Sequence, residues 1–307
     1  METFDLENTP LTSAEQRILD SALSENAIFQ HVFSQAKCLQ ALLRACPPIN
    51  REIKLSAVHY DKKLTPAVGK HEYILDVLGE GEYVDTGTKV IIDLEMQNTK
   101  SGAEQVRGET YAAAVRCTVT ARGEGWKDMP EVISIFFVNE IPEHKDLYYR
   151  VTSFHSYGYS GAGNEFEDDE GNTLLIYVRL GLDKQTELLK RHPELQALAN
   201  IVHDLSEKRG SDMIVGVLAE AMSVLKEDRL MLFKCSQETL DWGERLKEEA
   251  RAEAMAEARA QARAEAKEEK ERTVVALCNM GMPLESVAKA CFISVSEVEA
   301  IRYREGL

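Results

Sequence analysis

The stretch ILDVLGEGEYVDTGTKVIIDLEMQ, residues 74–97, restricts the fold more tightly than any other part of the chain. Ile74–Leu78 and Val90–Met96 are aliphatic runs of strand length, and Gly81, Asp85 and Gly87 between them form turns. Two such runs joined by a turn pair as antiparallel neighbours. Side chains alternate along a strand, so Asp93, Glu95 and Gln97 share one face while Ile92, Leu94 and Met96 meet an apolar layer on the other. Antiparallel pairing then sets Asp76 beside Glu95. Carboxylates in apolar strands are costly unless a donor or cation meets them, and close pairs raise each other's pKa. A hard divalent ion such as Mg²⁺, with Mn²⁺ as its substitute, is one suitable partner. A metal-free network, with Asp76, Glu95 and Gln97 bonded to Arg107, Lys89 or backbone groups, is the other.

Strand and helix patterns alternate around this stretch. Ile18, Leu19, Leu23, Ile28, Phe29, Val32 and Phe33 recur at helical spacing within residues 12–46, with Ser13 as the expected cap. A further helix from Gln35 to Cys46 stops at Pro47-Pro48. Residues 53–60 and 72–79 read as strands, 80–89 as a turn region, 103–121 as a helix, and 132–138 (VISIFFV) as a fully buried strand. Residues 156–172 are Gly-rich and acidic but match neither a phosphate-binding loop nor a calcium loop, so a solvated hairpin connection is expected. Residues 174–178 resume as a strand and 183–233 are helical. Strand, helix and strand in this order predict an α/β domain with a central sheet.

Residues 244–272 are almost entirely Ala, Glu, Arg, Lys and Gln. Strong helix formers and frequent Glu-to-basic neighbours predict a long solvated helix, without the apolar seam of a coiled coil. Ala-rich faces leave self-association as an alternative. Residues 273–307 predict three short amphipathic helices, broken at Gly281 and Pro283 and capped by Ser294 or Ser296, which look like a small helix-turn-helix. Glu297 and Glu299 would repel phosphates there, which favours protein contact or capping over DNA reading.

The net charge of −16 argues against broad attraction to nucleic acid while leaving room for a local basic groove. The six cysteines show no CxxC spacing, so neither a zinc site nor a disulfide framework is indicated, and buried reduced thiols are expected. The acidic, polar start and the lack of an apolar run of membrane length lead us to expect a soluble cytoplasmic protein with no membrane partner.

Asp76 followed by Glu95-Met96-Gln97 at the end of a strand resembles the PD-(D/E)xK nuclease superfamily. More closely, it resembles the recombination-promoting nuclease/transposase family, whose motif reads Asp … Glu-x-Gln. Phe29 and Phe33 match that family's Phe-x-x-x-Phe helix, Arg107 and Tyr111 its Arg-x-x-x-Tyr helix, and VISIFF the strand that follows. The resemblance covers roughly residues 25–140, and the charged helix and terminal module match in style. It implies a restriction-endonuclease-like mixed β-sheet flanked by helices, followed by the long charged helix and the helix-turn-helix-like module. It implies a nuclease-like domain over 1–235, a spacer over 236–272 and a terminal module over 273–307. It also implies a Mg²⁺-dependent DNA endonuclease, with DNA as partner and a homodimer as the expected assembly. Asp76 and Glu95, with the Met96 carbonyl, would hold the metal, and Gln97 would orient the attacking water. Gln97 stands where the superfamily has lysine, so Arg107 is the candidate to supply the missing positive charge. Asp93 is a candidate further ligand, Glu25 the candidate N-terminal helical acid, and Tyr111 a candidate contact. A nuclease-fold protein that binds DNA or a partner without cutting is the alternative.

Overall fold

The computed structural model describes residues 10–64, 73–97, 104–119, 129–141, 147–153, 156–159, 165–168 and 173–305. The chain divides into two compact units, Met1–Thr239 and Leu240–Leu307.

The first unit opens with α1 (Ser13–Leu19), α2 (Asn26–Phe33) and α3 (Ala36–Ala45). The cap of α1 is Thr12 rather than Ser13, because Thr12 holds the extended backbone and forms a capping box with Glu15. Strands β1 (Ile53–Leu64), β2 (Tyr73–Tyr83) and β3 (Lys89–Gln97) follow, so the expected turn region is shorter and β2 runs on to Tyr83. Helix α4 (Glu104–Val119) leads to β4 (Glu131–Val138). Then come β5 (Tyr149–Ser153), β6 (Ser156–Tyr159), β7 (Glu165–Asp168) and β8 (Thr173–Arg179). Helices α5 (Thr186–Arg191), α6 (Gln196–Ser206) and α7 (Gly216–Glu227) precede α8 (Arg229–Asn279), which runs into the second unit.

Six strands form one mixed sheet in the order β1-β2-β3-β4-β8-β5. The β1/β2 and β2/β3 pairs are antiparallel, β3/β4 and β4/β8 parallel, and β5/β8 antiparallel. The fold is therefore α/β with helices flanking the sheet. β5 had no clear pattern of its own in the sequence. β6 and β7 pair antiparallel within the stretch expected to be a hairpin connection.

One face of the sheet presents Ile92, Leu94, Met96, Ile133, Phe137 and Ile176 to the apolar sides of α2, α3, α6 and α7. Phe29 of α2 lies 4.7 Å from Phe33 and meets Phe137 edge-on at 6.2 Å between ring centres. The other face carries Ile91, Phe136, Leu175 and Tyr177 against Tyr111, Ala112 and Val115 of α4. With both faces covered, every residue of β3 after Lys89 is buried, as central strands with parallel neighbours usually are.

The second unit contains the rest of α8, then α9 (Leu284–Cys291) and α10 (Val295–Glu305). Val274, Val287, Ala288, Cys291, Val298 and Ile301 form its small core. Gly281, at φ 77°, makes the left-handed break after α8, and Ser294 and Glu297 form a reciprocal cap at α10. Among the described residues, no helix is long and apolar enough to cross a membrane.

Gly108 sets the distance between α4 and the sheet. A Cβ at this position would collide with the hydroxyl of Tyr177 and press on Phe136 at 3.3 Å. Tyr177 is almost fully buried and has little room to yield. Gly108→Val should cost roughly 1–3 kcal/mol through overpacking, with lost χ1 freedom added. Thermal unfolding followed by circular dichroism should show a midpoint lower by roughly 3–10 °C; an unchanged midpoint would mean that α4 can ride away from the sheet at no cost.

Candidate metal and active site

The backbone ladder between β2 and β3 ends at Val77 opposite Leu94. One residue further, side chains replace it. The Asp76 amide donates to Glu95 Oε1 at 3.0 Å, and the Met96 amide donates to Asp76 Oδ2 at 2.8 Å. Each carboxylate thus accepts a backbone N–H of the opposite strand, which fixes both side chains at the point where the strands part. Asp76 Oδ1 accepts a third bond, from Gln30 Nε2 on α2 at 3.0 Å. Across from Asp76 on β1, Asp61 takes a left-handed φ of 48°, a conformation that aspartate tolerates better than most residues.

Asp93 lies on the same face of β3 as Glu95, with 0% exposure. Neither of its carboxylate oxygens has a hydrogen-bond partner among the described residues. Ser134, its register partner on β4, is also fully buried with an unpartnered hydroxyl. A buried carboxylate with both oxygens unmet is expensive as an anion. Burial, and then the charge of Asp76, push Asp93 up to about 7. Burial, followed by Asp76 and Asp93, holds Glu95 well above the ordinary carboxylate range. Burial also raises Asp76, against the opposing pull of the Met96 amide, Gln30 and Arg107.

Arg107 faces this negative cluster from α4. Its Nη2 donates to Tyr111 Oη at 2.8 Å one helical turn on, its guanidinium lies 5.0 Å from the Tyr111 ring centre, and its buried Nε has no partner among the described residues. Tyr111 packs edge-on against Tyr73 at 5.5 Å, in the cluster that holds Phe136 and Tyr177. It is therefore packed beneath the site and holds Arg107.

The remaining candidates divide. Gln97 is buried at the end of β3 on the face of Asp93 and Glu95. Met96 turns its side chain into the opposite apolar core. Glu25 sits at the start of α2, in an ion pair with Arg17 at 3.8 Å, and has no contact with Asp76 or Glu95 among the described residues. Lys89 is exposed at the far end of β3. The residue that α2 brings to the site is Gln30, which the sequence analysis passed over. Its one signal was a polar amide inside the apolar run IFQHVF, on a face that buries everything around it.

This donor set suits a hard cation. It consists of carboxylate oxygens from two strands, two of them orphaned and buried, and no soft ligand is among them. Comparison with known proteins adds nothing to these residues: no family model, no curated protein and no solved structure matches the chain.

The raised pKa of Asp93 has a definite sign for stability. Near pH 4 the folded protein keeps its proton while the unfolded chain loses it, because the ordinary value is 3.8. Stability therefore falls as pH rises from about 4 to about 7, and the full cost persists above that. Asp93→Asn should flatten this fall in metal-free buffer and raise the unfolding midpoint at pH 8 by several degrees. Thermal melts from pH 4 to 8 in EDTA test this, and parallel curves for the two proteins would show that Asp93 is not strained.

Proposed function

We propose that the chain is a Mg²⁺-dependent DNA endonuclease that hydrolyses phosphodiester bonds, with a restriction-endonuclease-like core and the character of a recombination-promoting nuclease. One observation carries this reading: Asp76, Glu95 and Asp93 gather their charge beside Arg107 at the point where β2 and β3 part, and the oxygens of Asp93 have no other partner among the described residues. Support also comes from the order of parts, with the Asp strand, the Glu-x-Gln strand, the Arg-x-x-x-Tyr helix and the buried strand packed around one site.

In this scheme Asp76 and Glu95 would hold the ion, joined by the Met96 carbonyl, and Asp93 would help to balance its charge. The bound ion would polarise a phosphoryl oxygen and lower the pKa of a water. Gln97 orients that water through its amide dipole. Arg107, steadied by Tyr111, would offer positive charge to the developing phosphorane, as lysine does in the superfamily that the motif resembles. Gln30 keeps Asp76 in one rotamer, the supporting role that outer residues play around metal ligands. The free cysteines suit a reducing cytoplasm.

Gln97 favours a second reading, since an amide cannot replace the charge of lysine. A slow or inactive nuclease fold would then bind DNA or protein and oligomerise through its C-terminal helices. In the second unit Phe292 and Tyr303 are 90% and 91% exposed, the kind of apolar surface that a partner covers. In this reading α9 and α10 act as a helix-turn-helix-like contact module.

Plasmid cleavage separates the two. Purified protein should nick or cut DNA in Mg²⁺ or Mn²⁺ and not in EDTA, with cutting lost in Asp76→Ala and Glu95→Ala. Gln30→Ala should slow cutting by roughly 10–100-fold, and Gln97→Lys should speed it. No cutting in either metal, by wild type or by Gln97→Lys, would reject the endonuclease and leave the binding module.

A further inference from the structure

His31, Cys235 and Glu238 bring an imidazole, a thiol and a carboxylate together, with their ligand atoms all within 4.8 Å of one another. His31 is the neighbour of Gln30 on α2, and adjacent helical residues point apart, so Gln30 meets Asp76 while His31 meets α8. Cys235 and Glu238 are three apart on α8 and therefore share one face of it. His31 Nε2 lies 2.8 Å from Glu238 Oε2. Cys235 and His31 are buried, at 0% and 5% exposure, and the Glu238 side chain is 35% exposed. The Tyr60 ring closes one side, 4.7 Å from the His31 ring.

A helix contact fastened by a His–Glu hydrogen bond needs no thiol beside it. The added sulfur makes a mixed N, S and O donor set, which hard ions such as Mg²⁺ bind poorly and borderline-soft ions bind well. We infer that His31, Cys235 and Glu238 form a second metal site that takes Zn²⁺ in tetrahedral coordination, with solvent as the fourth ligand at the exposed carboxylate. Tetrahedral zinc with bonds of about 2.0–2.3 Å sets its ligand atoms about 3.5 Å apart. His31 Nε2 and Glu238 Oε2, now 2.8 Å apart, need only part slightly to reach that geometry, and the sulfur already lies within 4.8 Å of both. Binding releases the thiol proton of Cys235 and requires the coordinating His31 nitrogen to be free of a proton. The ion fastens the first turns of α8 to α2, the helix whose Gln30 holds Asp76. The inference does not depend on the carboxylate site being a nuclease centre.

Cobalt titration of the full-length protein tests it, since Co²⁺ occupies zinc sites and reports its ligands by absorption. One equivalent should produce tetrahedral d–d bands and a thiolate-to-cobalt charge-transfer band, both erased by Zn²⁺ and unaffected by excess Mg²⁺. Cys235→Ser should abolish the charge-transfer band. Glu238→Ala, at a partly exposed position that does not threaten folding, should weaken Co²⁺ and Zn²⁺ binding by about tenfold or more. A wild-type protein without the charge-transfer band would overturn the inference, as would a band that survives Cys235→Ser or an affinity unchanged by Glu238→Ala.

Discussion

Everything at the candidate site depends on the exchange between β2 and β3, in which the Asp76 amide bonds Glu95 and the Met96 amide bonds Asp76. Backbone amides in a buried sheet must find acceptors, and past Val77 and Leu94 the ladder between these strands no longer supplies them. The carboxylates fill that need and are held rigid in return. Truncating either to Ala would leave a backbone amide without its acceptor, so the acids serve the fold before they serve any chemistry. The strands part at the same point, and the acids lie where β2 and β3 separate.

Two buried acids, Asp93 and Glu95, beside the half-buried Asp76 are a burden that the rest of the fold is built to tolerate. The α4 side gives Arg107, steadied by Tyr111, and the α2 side gives Gln30. Gly108 allows α4 close approach to Tyr177, which brings the neighbouring Arg107 toward the cluster. These supports are incomplete: Asp93 retains unmet oxygens and a pKa near 7. A site optimised only for stability would have replaced Asp93 with an apolar residue, because the strand is covered on both faces. Unmet buried charge of this kind is the ground on which a ligand is proposed here.

The alternation in VIIDLEMQ made the faces of β3, the antiparallel pairing with β2 and the meeting of Asp76 with Glu95 legible, because period-two patterning reports which side each residue faces. VISIFFV was equally plain as a continuous apolar run, and the apolar spacing within residues 12–46 marked the helices there. Asp93 was harder. Its residue type suited a solvated edge as well as a ligand, and only the parallel neighbour β4 and the cover of α4 show it sealed in. Gln30 was passed over in favour of Glu25, because helical phase alone does not say which turn of α2 meets the sheet. The His31, Cys235 and Glu238 cluster was invisible, since His31 lies about 200 residues before the other two and metal-ligand spacing in a sequence captures only sites built from local turns. Strand β5 escaped because YRVTS is too short and too polar to carry a pattern.

The overall charge then bears on how such a site would meet DNA. A chain of net −16 repels a polyanion at long range, so attraction must be local. Asp76, Glu95 and Asp93 carry about three negative charges when ionised, and Arg107 returns one. A divalent ion adds two, which brings the cluster close to neutral and lets a phosphate approach the guanidinium without facing bare carboxylates. Before the ion arrives, the raised pKa values of the acids achieve part of the same neutralisation with protons. On the endonuclease reading, metal and proton would compete for the same oxygens, and the metal would have to come first if a phosphodiester is to follow. On the endonuclease reading, the order of binding is set by electrostatics at the site and needs no moving part of the fold.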